Sequence, residues 1–509
     1  MCCLRRRRRI RSLPYCRIEW DCRIEWESKT VTYEVGGVRH QVQMQFRDPL
    51  RVLQEKLTDL QHDPDESMWW THEIGSDWRK QHFSEPKHSV PGWVMESYVP
   101  PESRILFYTL GSDATNLDAV GKRSSHPVHI IPGCFDAATR RKLSSSLLIA
   151  HLPRVHGTEE RKAMFAAAMN VIGASLNHAG RHGVDMHIRL GETHVDCMCL
   201  APARTACLHT GPGAEPTKVR VYTLACSLLN DHPEACMGLG VKDSCTTNAP
   251  CCGCLTPCTL MQDVRAAARF PVRDMQLRAA LEAAMDDADL ALELYRNLTV
   301  HEATAPGEAA AKRPRGGGDE RTFAKQFVKQ LFELTSSKHG GSAYDTFPCL
   351  EGGYVMLAAN IDWLHVINLG IIKRALILTA WYYEQNRSLC TKTGAGGCAE
   401  LNARLARCGG HDGERRHVPD GLFHHKVKSS GRDKVKLKAG LQGGQIGEIA
   451  CHMVYATRDD QCISRFWVAL CEWRDALYAH THSFDSVVDL RNRALAYARQ
   501  ANASPAGVT

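Results

Sequence analysis

The run "RILFYTLGSD", Arg104 to Asp113, climbs through β-branched and aromatic residues and then ends on a carboxylate. A second run of the same kind, "VRVYTLACSLLND", Val219 to Asp231, ends the same way. Such runs read as buried strands, and a buried ionised acid costs several kcal/mol unless something pairs with it. Each acid is therefore a turn residue or a metal ligand. Between them, Val128 to Ile131 reads as a strand forming an antiparallel hairpin with the first run. Thr158 to His178 reads as a helix, with Met164, Phe165, Ala168, Val171, Ile172 and Leu176 on one stripe. A helix-containing crossover of this kind brings the runs ending at Asp113 and Asp231 to one edge of one sheet.

At 509 residues the chain exceeds one ordinary core. Its formal charge of +7 is modest, but the basic residues are bunched. Arg5 to Arg9 is unbroken arginine, Lys312-Arg313-Pro314-Arg315 sits in a Gly/Ala-rich stretch, and Lys426 to Lys438 holds six Lys/Arg, among them Lys426, Lys428, Arg432, Lys434 and Lys436. Clusters of this kind suit a phosphate backbone or a nuclear import receptor, and each reads equally as a solvated face. The N-terminus lacks the apolar core of a secretory signal. The most apolar segment, Tyr354 to Tyr383, is interrupted by Asn360, Asp362, His365, Asn368, Lys373 and Arg374, so no membrane span is expected. With 22 cysteines and no secretory signal, reduced thiols are expected.

The chain divides by composition into a basic, poorly ordered N-terminus over 1–30, which carries the duplication "CRIEWDCRIEW", and a mixed region over 31–103 holding Trp69, Trp70 and Trp78. A core over 104–300 follows, then a linker over 301–320 and a helical region over 321–509. Asp274 to Leu294, Thr322 to Leu334, Asp362 to Tyr383 and most of Cys451 to Gln500 have helical period, while Thr391 to Gly413 reads as Gly-rich loop.

Paired carboxylates are what hard divalent cations require, since these take oxygen ligands. Cys251 and Cys254 form a CxxC beyond Asp231, and Asp362 and His365 lie three apart, on one helical face. Two thiolates and a distant histidine suit zinc. A thiol-rich loop and a core histidine explain the same residues.

The stretch "FYTLGSDATNLDAVGKRSSHPVHIIPGCFDAATRRKLSSSLLIAHLP" resembles the first catalytic block of the Plavaka and Kyakuja-Dileera-Zisupton transposases, relatives of the CACTA-type DNA transposases. There a strand ends in Ser-Asp-x-Thr-x-Leu, a Gly-Lys and a Pro-Val strand follow, and an Arg-Arg-Lys run leads to Leu-Pro. Asp231-His232-Pro233-Glu234, with Cys251 and Cys254 downstream, resembles the second block. Asp362-Trp363-Leu364-His365 resembles the third.

The resemblance implies an α/β, RNase H-like mixed-sheet core with a long helical insertion. It implies Mg²⁺ or Mn²⁺ held by Asp113 and Asp231, while Zn²⁺ at Cys251, Cys254 and His365 rests on the thiol and imidazole chemistry alone. The activity implied is metal-dependent strand cleavage and transfer on double-stranded DNA, in the nucleus or otherwise the cytoplasm, by a chain able to self-associate. The family's third acid is a glutamate on a later helix. Glu448, Glu472 and Asp475 do not match its context, and the expectation is a chain truncated before it. The alternatives are a non-catalytic, zinc-stabilised DNA-binding protein derived from a transposase, and a decaying reading frame.

Overall fold

The computed structural model describes residues 24–58, 95, 98–100, 102–112, 115–116, 124–135, 140, 142–189, 216–230, 232–242, 249, 251, 254–257, 259, 275–302, 320–337, 343–344, 359–360, 364–390, 396–408, 421–426, 434–437, 443–479 and 483–503. The chain divides into two compact units, one of Met1–Trp78, Phe83–Cys258 and Val272–Asn360 and the other of Arg79–His82, Thr259–Pro271 and Ile361–Thr509. This division falls later than the linker over 301–320 suggested by composition.

The first unit is built on an eight-stranded mixed sheet. Its strands are β1 (Glu27–Val35), β2 (Val38–Phe46), β3 (Arg104–Ser112), β4 (Pro127–Pro132), β5 (Leu147–His151), β6 (Val184–Arg189), β7 (Pro216–Leu229) and β8 (Ala359–Asn360). They lie in the order β1-β2-β5-β4-β3-β7-β8, with β6 paired to β7. As the sequence predicts, β3 and β4 are antiparallel neighbours and β7 lies beside β3; the structure adds that β3 and β7 run parallel.

The structure departs from the expected boundaries at the N-terminus. Residues 27–30, assigned from composition to a disordered tail, open β1. Gly36 and Gly37, at φ 59° and 78°, close β1 onto β2, as a two-residue hairpin turn requires positive φ at both positions. The helix α1 (Pro49–Thr58) follows, its first turn capped by Asp48, whose Oδ1 accepts from the Leu50 and Arg51 amides. Trp69, Trp70 and Trp78 lie outside the described residues.

Helix α2 (Thr158–His182) extends the predicted helix by one turn and buries Met164, Phe165, Ala168, Met169, Ile172, Leu176 and Ala179 against the sheet. Glu159 and Glu160 sit in its first turn and Arg181 and His182 in its last, matching the helix dipole. It ends at Gly183, φ 66°, where a Cβ would stand 2.8 Å from Arg220 Nε and Tyr222 Cζ. The Thr223 hydroxyl of β7 donates to the Leu176 carbonyl of α2 at 2.6 Å.

After α3 (His232–Gly238), the predicted helix over 274–294 proves to be two, α4 (Met275–Asp286) and α5 (Ala288–Glu302). Asp287 divides them by capping the second, its Oδ1 accepting from the Asp289 and Leu290 amides. With α6 (Glu320–Leu334) they form a small core around Leu281, Ala291, Val328 and Phe332.

The second unit is helical: a π-helical stretch (Leu364–Ile372), then α7 (Lys373–Gln385), α8 (Gly397–Cys408), α9 (Gly443–Ala456), α10 (Gln461–Leu477) and α11 (Phe484–Ala503), with a hairpin of β9 (Phe423–Lys426) and β10 (Lys434–Leu437). The Gly-rich loop expected over 391–413 is corrected by α8. Its glycine is a packing residue, not a breaker: a Cβ at Gly397 would stand 2.2 Å from the Tyr383 carbonyl carbon. Glu384 Oε1 accepts from the Cys398 amide at 2.8 Å, and Leu401 and Leu405 are buried. Fully buried Trp467 donates to Thr379 Oγ1 at 3.2 Å.

Candidate catalytic edge of the sheet

Asp113 and Asp231 lie outside the described residues, but the strands that deliver them do not. β3 and β7 run parallel as hydrogen-bonded neighbours, from Arg104 opposite Val221 to Gly111 opposite Leu229. The register shifts once: Tyr108 faces Ala225 while Thr109 faces Ser227, so Cys226 is the extra residue of a bulge. The Cys226 thiol donates to the Tyr108 carbonyl at 3.1 Å. The shift has a numerical consequence. Beyond the last pair, Asp113 and Asp231 are at the same sequence count from Gly111 and Leu229; were Cys226 paired in the ladder, the same count would lead from Asp113 to Asn230 instead.

The ends of both strands are fixed by buried polar contacts. Ser112 Oγ and His126 Nε2 are 2.9 Å apart, and Asn230 Nδ2 donates to the Tyr344 hydroxyl at 2.6 Å. A Cβ at Gly238 would stand 2.5 Å from Tyr344 Cε2, so the small residue in α3 lets the ring approach Asn230. On the far side of β3, Gly133 plays a similar part, a Cβ there standing 2.8 Å from Phe107 Cβ. Both strand termini are anchored immediately before the acids.

The other sequence candidates distribute as follows. Cys251 and Cys254 are described and half-buried, with Cys254 Sγ 3.1 Å from Thr256 Oγ1. Asp362 lies outside the described residues; His365 belongs to the π-helical stretch of the second unit, its side chain outside the description. Among the described residues no group of three or more His, Cys, Asp or Glu converges as a metal site. Glu448 and Glu472 are exposed on α9 and α10, and Asp475 is held by Arg474.

Lys312, Arg313, Arg315, Lys428 and Arg432 lie outside the described residues. Lys426 and Lys434 occupy directly facing positions of the β9–β10 hairpin, and His424 faces Lys436 two residues along. These four positions share one parity of the ladder; Phe423 and Leu437, on the other, pack into the helical core.

A feature that motif reading missed is an open cavity of about 370 Å³ at the β2–β5 edge, lined by Trp26, Gln45, Arg47, Leu148 and His151. The Arg47 guanidinium lies 4.2 Å from the Trp26 ring centre and is buried, its Nε without a hydrogen-bond partner. Burial holds the His151 and His129 imidazoles below the usual histidine range, with His151 adding to the effect on His129. No charge motif announces a lone arginine stacked on tryptophan.

The fold and these lead-in strands define a mixed α/β protein with two parallel, hydrogen-bonded neighbours in its central sheet, paired as far as Gly111 and Leu229. A family model described as Plavaka transposase matches residues 7–205, which span β1 to β6 and include Asp113. That is the family whose motifs the sequence resembles, and over this span the chain is transposase-like. Asp231, Cys251, Cys254, Asp362 and His365 lie beyond the matched residues. No curated protein matches the chain. No helix among the described residues is long and apolar enough to cross a membrane.

Proposed function

We propose that the chain is a DNA transposase-like nucleotidyl transferase with an RNase H-like core, in which Asp113 and Asp231 hold Mg²⁺ or Mn²⁺ for strand cleavage and transfer on double-stranded DNA. The observation that carries this reading is the parallel β3–β7 pair, whose bulge at Cys226 sets the two aspartates at equal count beyond the last paired residues. Support for the core comes from the sheet order: β3 is flanked by antiparallel β4 on one side and parallel β7 on the other, with α2 between the antiparallel strands and β7 in sequence. The oxygen-only donor pair fits hard cations.

Bound there, such an ion would lower the pKa of the attacking water or 3′-hydroxyl and stabilise the leaving oxygen. The chain's own contribution is positional. Ser112 with His126 and Asn230 with Tyr344 fix the strand ends, and the basic ladder of β9–β10 contacts phosphate by charge. Cys251 and Cys254 supply two thiols toward zinc and no third ligand among the described residues, so no step of the reaction is assigned to zinc. The third acid is not assigned either.

The test is nicking or joining of double-stranded DNA in Mg²⁺ or Mn²⁺ by the chain and by Asp113→Asn and Asp231→Asn. The expected result is loss of the metal-dependent activity by about 100-fold or more in each variant. DNA binding that persists in chain and variants alike, with no metal-dependent cleavage in any, would favour the non-catalytic alternative.

A further inference from the structure

Helices α9 and α10 carry a thiol pair that the transposase reading does not use. Gly447 and Cys451 lie one turn apart on α9, and Cys471 and Arg474 one turn apart on α10. The Arg474 guanidinium joins the two faces: Nη1 donates to the Gly447 carbonyl and Nη2 to Cys451 Sγ at 3.0 Å, while Nε and Nη2 hold Asp475 Oδ1 at 2.9 and 2.5 Å. Cys451 is exposed, whereas Cys471 is buried and within hydrogen-bonding reach of it. We propose that Cys451 is a peroxide-reactive thiolate and Cys471 its resolving partner, so that oxidation by hydrogen peroxide or an organic hydroperoxide locks α9 to α10 with a disulfide.

The hydrogen bond from Cys471, then that from Arg474, pull the Cys451 thiol down to about 5, against its partial burial and the Asp475 charge; Cys471 moves up. A thiolate at neutral pH, accessible and beside a second thiol, is the arrangement on which redox-sensing cysteines depend. In the first step Cys451 Sγ attacks a peroxide oxygen: the S–O bond forms, the O–O bond breaks, and the leaving hydroxide takes a proton to become water. In the second, Cys471 Sγ attacks Cys451 Sγ: the S–S bond forms, the S–O bond breaks, and the Cys471 proton leaves with the hydroxyl as water. Two thiols are oxidised by two electrons, and one hydrogen peroxide is reduced to two waters or one organic hydroperoxide to its alcohol and one water.

Exposed Cys462 on α10 is an internal control in the same chain. A fall from the ordinary 9.0 to about 5 raises the thiolate fraction at pH 6 by roughly 900-fold, while intrinsic nucleophilicity falls roughly 60-fold, so Cys451 should alkylate with iodoacetamide on the order of tenfold faster than an ordinary thiol. The experiment treats the full chain with hydrogen peroxide and maps its cysteines by mass spectrometry. The expected product is a Cys451–Cys471 disulfide reversed by dithiothreitol, replaced in Cys471→Ser by a Cys451 sulfenic acid that dimedone traps. Arg474→Gln should lose most of the rate advantage at pH 6. Equal alkylation of Cys451 and Cys462 in the unmodified chain, or peroxide oxidation without the Cys451–Cys471 linkage, would overturn the proposal, and neither result depends on a variant folding.

Discussion

At the scale of single residues, the second unit depends on one buried ion pair. Arg404 donates to Glu400 Oε1 at 2.8 Å, to the Ala456 carbonyl at 3.1 Å and to the Leu389 carbonyl at 3.0 Å, with its guanidinium 5.7 Å from the Tyr383 ring centre. Both side chains are under a tenth exposed. Removing only the arginine takes this partner from a buried carboxylate, so Arg404→Met should cost about 3 to 5 kcal/mol, and Arg404→Met with Glu400→Leu should recover much of it. Urea unfolding of the three chains checks this. Near β5, His129 and His151 give a pH signature. Their folded-state pKa values lie below the ordinary 6.5, so the unfolded chain binds more protons as pH falls through that value. Stability is therefore full above about pH 6.5 and declines toward pH 5. In His129→Asn the melting temperature should fall less steeply over that interval; an unchanged slope would remove His129 from the account.

At the scale of elements, what could be read from the sequence followed chemistry local to a run. Strands β3, β4 and β7 were legible because β-branched and aromatic residues concentrate there, and α2 because its apolar stripe has helical period. The β1–β2 hairpin was legible in principle from Gly36-Gly37, but its first residues fell by composition with the basic tail and the rest in a region of mixed composition. Helix α8 was not, because its glycines look like breakers until Tyr383 is seen against Gly397. The break at Asp287 was hidden in the same way, since the apolar period continues across it and only the cap divides the helices. Gly397→Ala should show the cost of that contact. Its Cβ would meet backbone, not a movable side chain, so a loss of about 1 to 3 kcal/mol is expected by urea unfolding. A neutral result would mean that α8 shifts freely. The bulge at Cys226 was also invisible beforehand, because a single extra residue in a long apolar run leaves no compositional mark.

At the scale of the whole molecule, the proposed chemistry requires DNA held by charge as well as cut by metal. Replacing Lys426, Lys434 and Lys436 together by Gln should weaken DNA binding without regard to sequence and lower the slope of log affinity against log salt by up to about 2.7. Binding indifferent to salt would argue against the nucleic-acid reading. The candidate acids were legible as strand-ending aspartates, and the structure adds why two such distant residues are candidates together: their strands are parallel neighbours brought into step by one bulge. The most direct test of that pairing is a thermodynamic cycle of Mn²⁺ binding by electron paramagnetic resonance, on the chain, Asp113→Asn, Asp231→Asn and the double variant. If the two carboxylates share an ion, each single change should weaken binding by tenfold or more and the double change should cost little beyond either, since removing one ligand already disables the site. Full Mn²⁺ binding in either single variant, or losses that simply add, would contradict it.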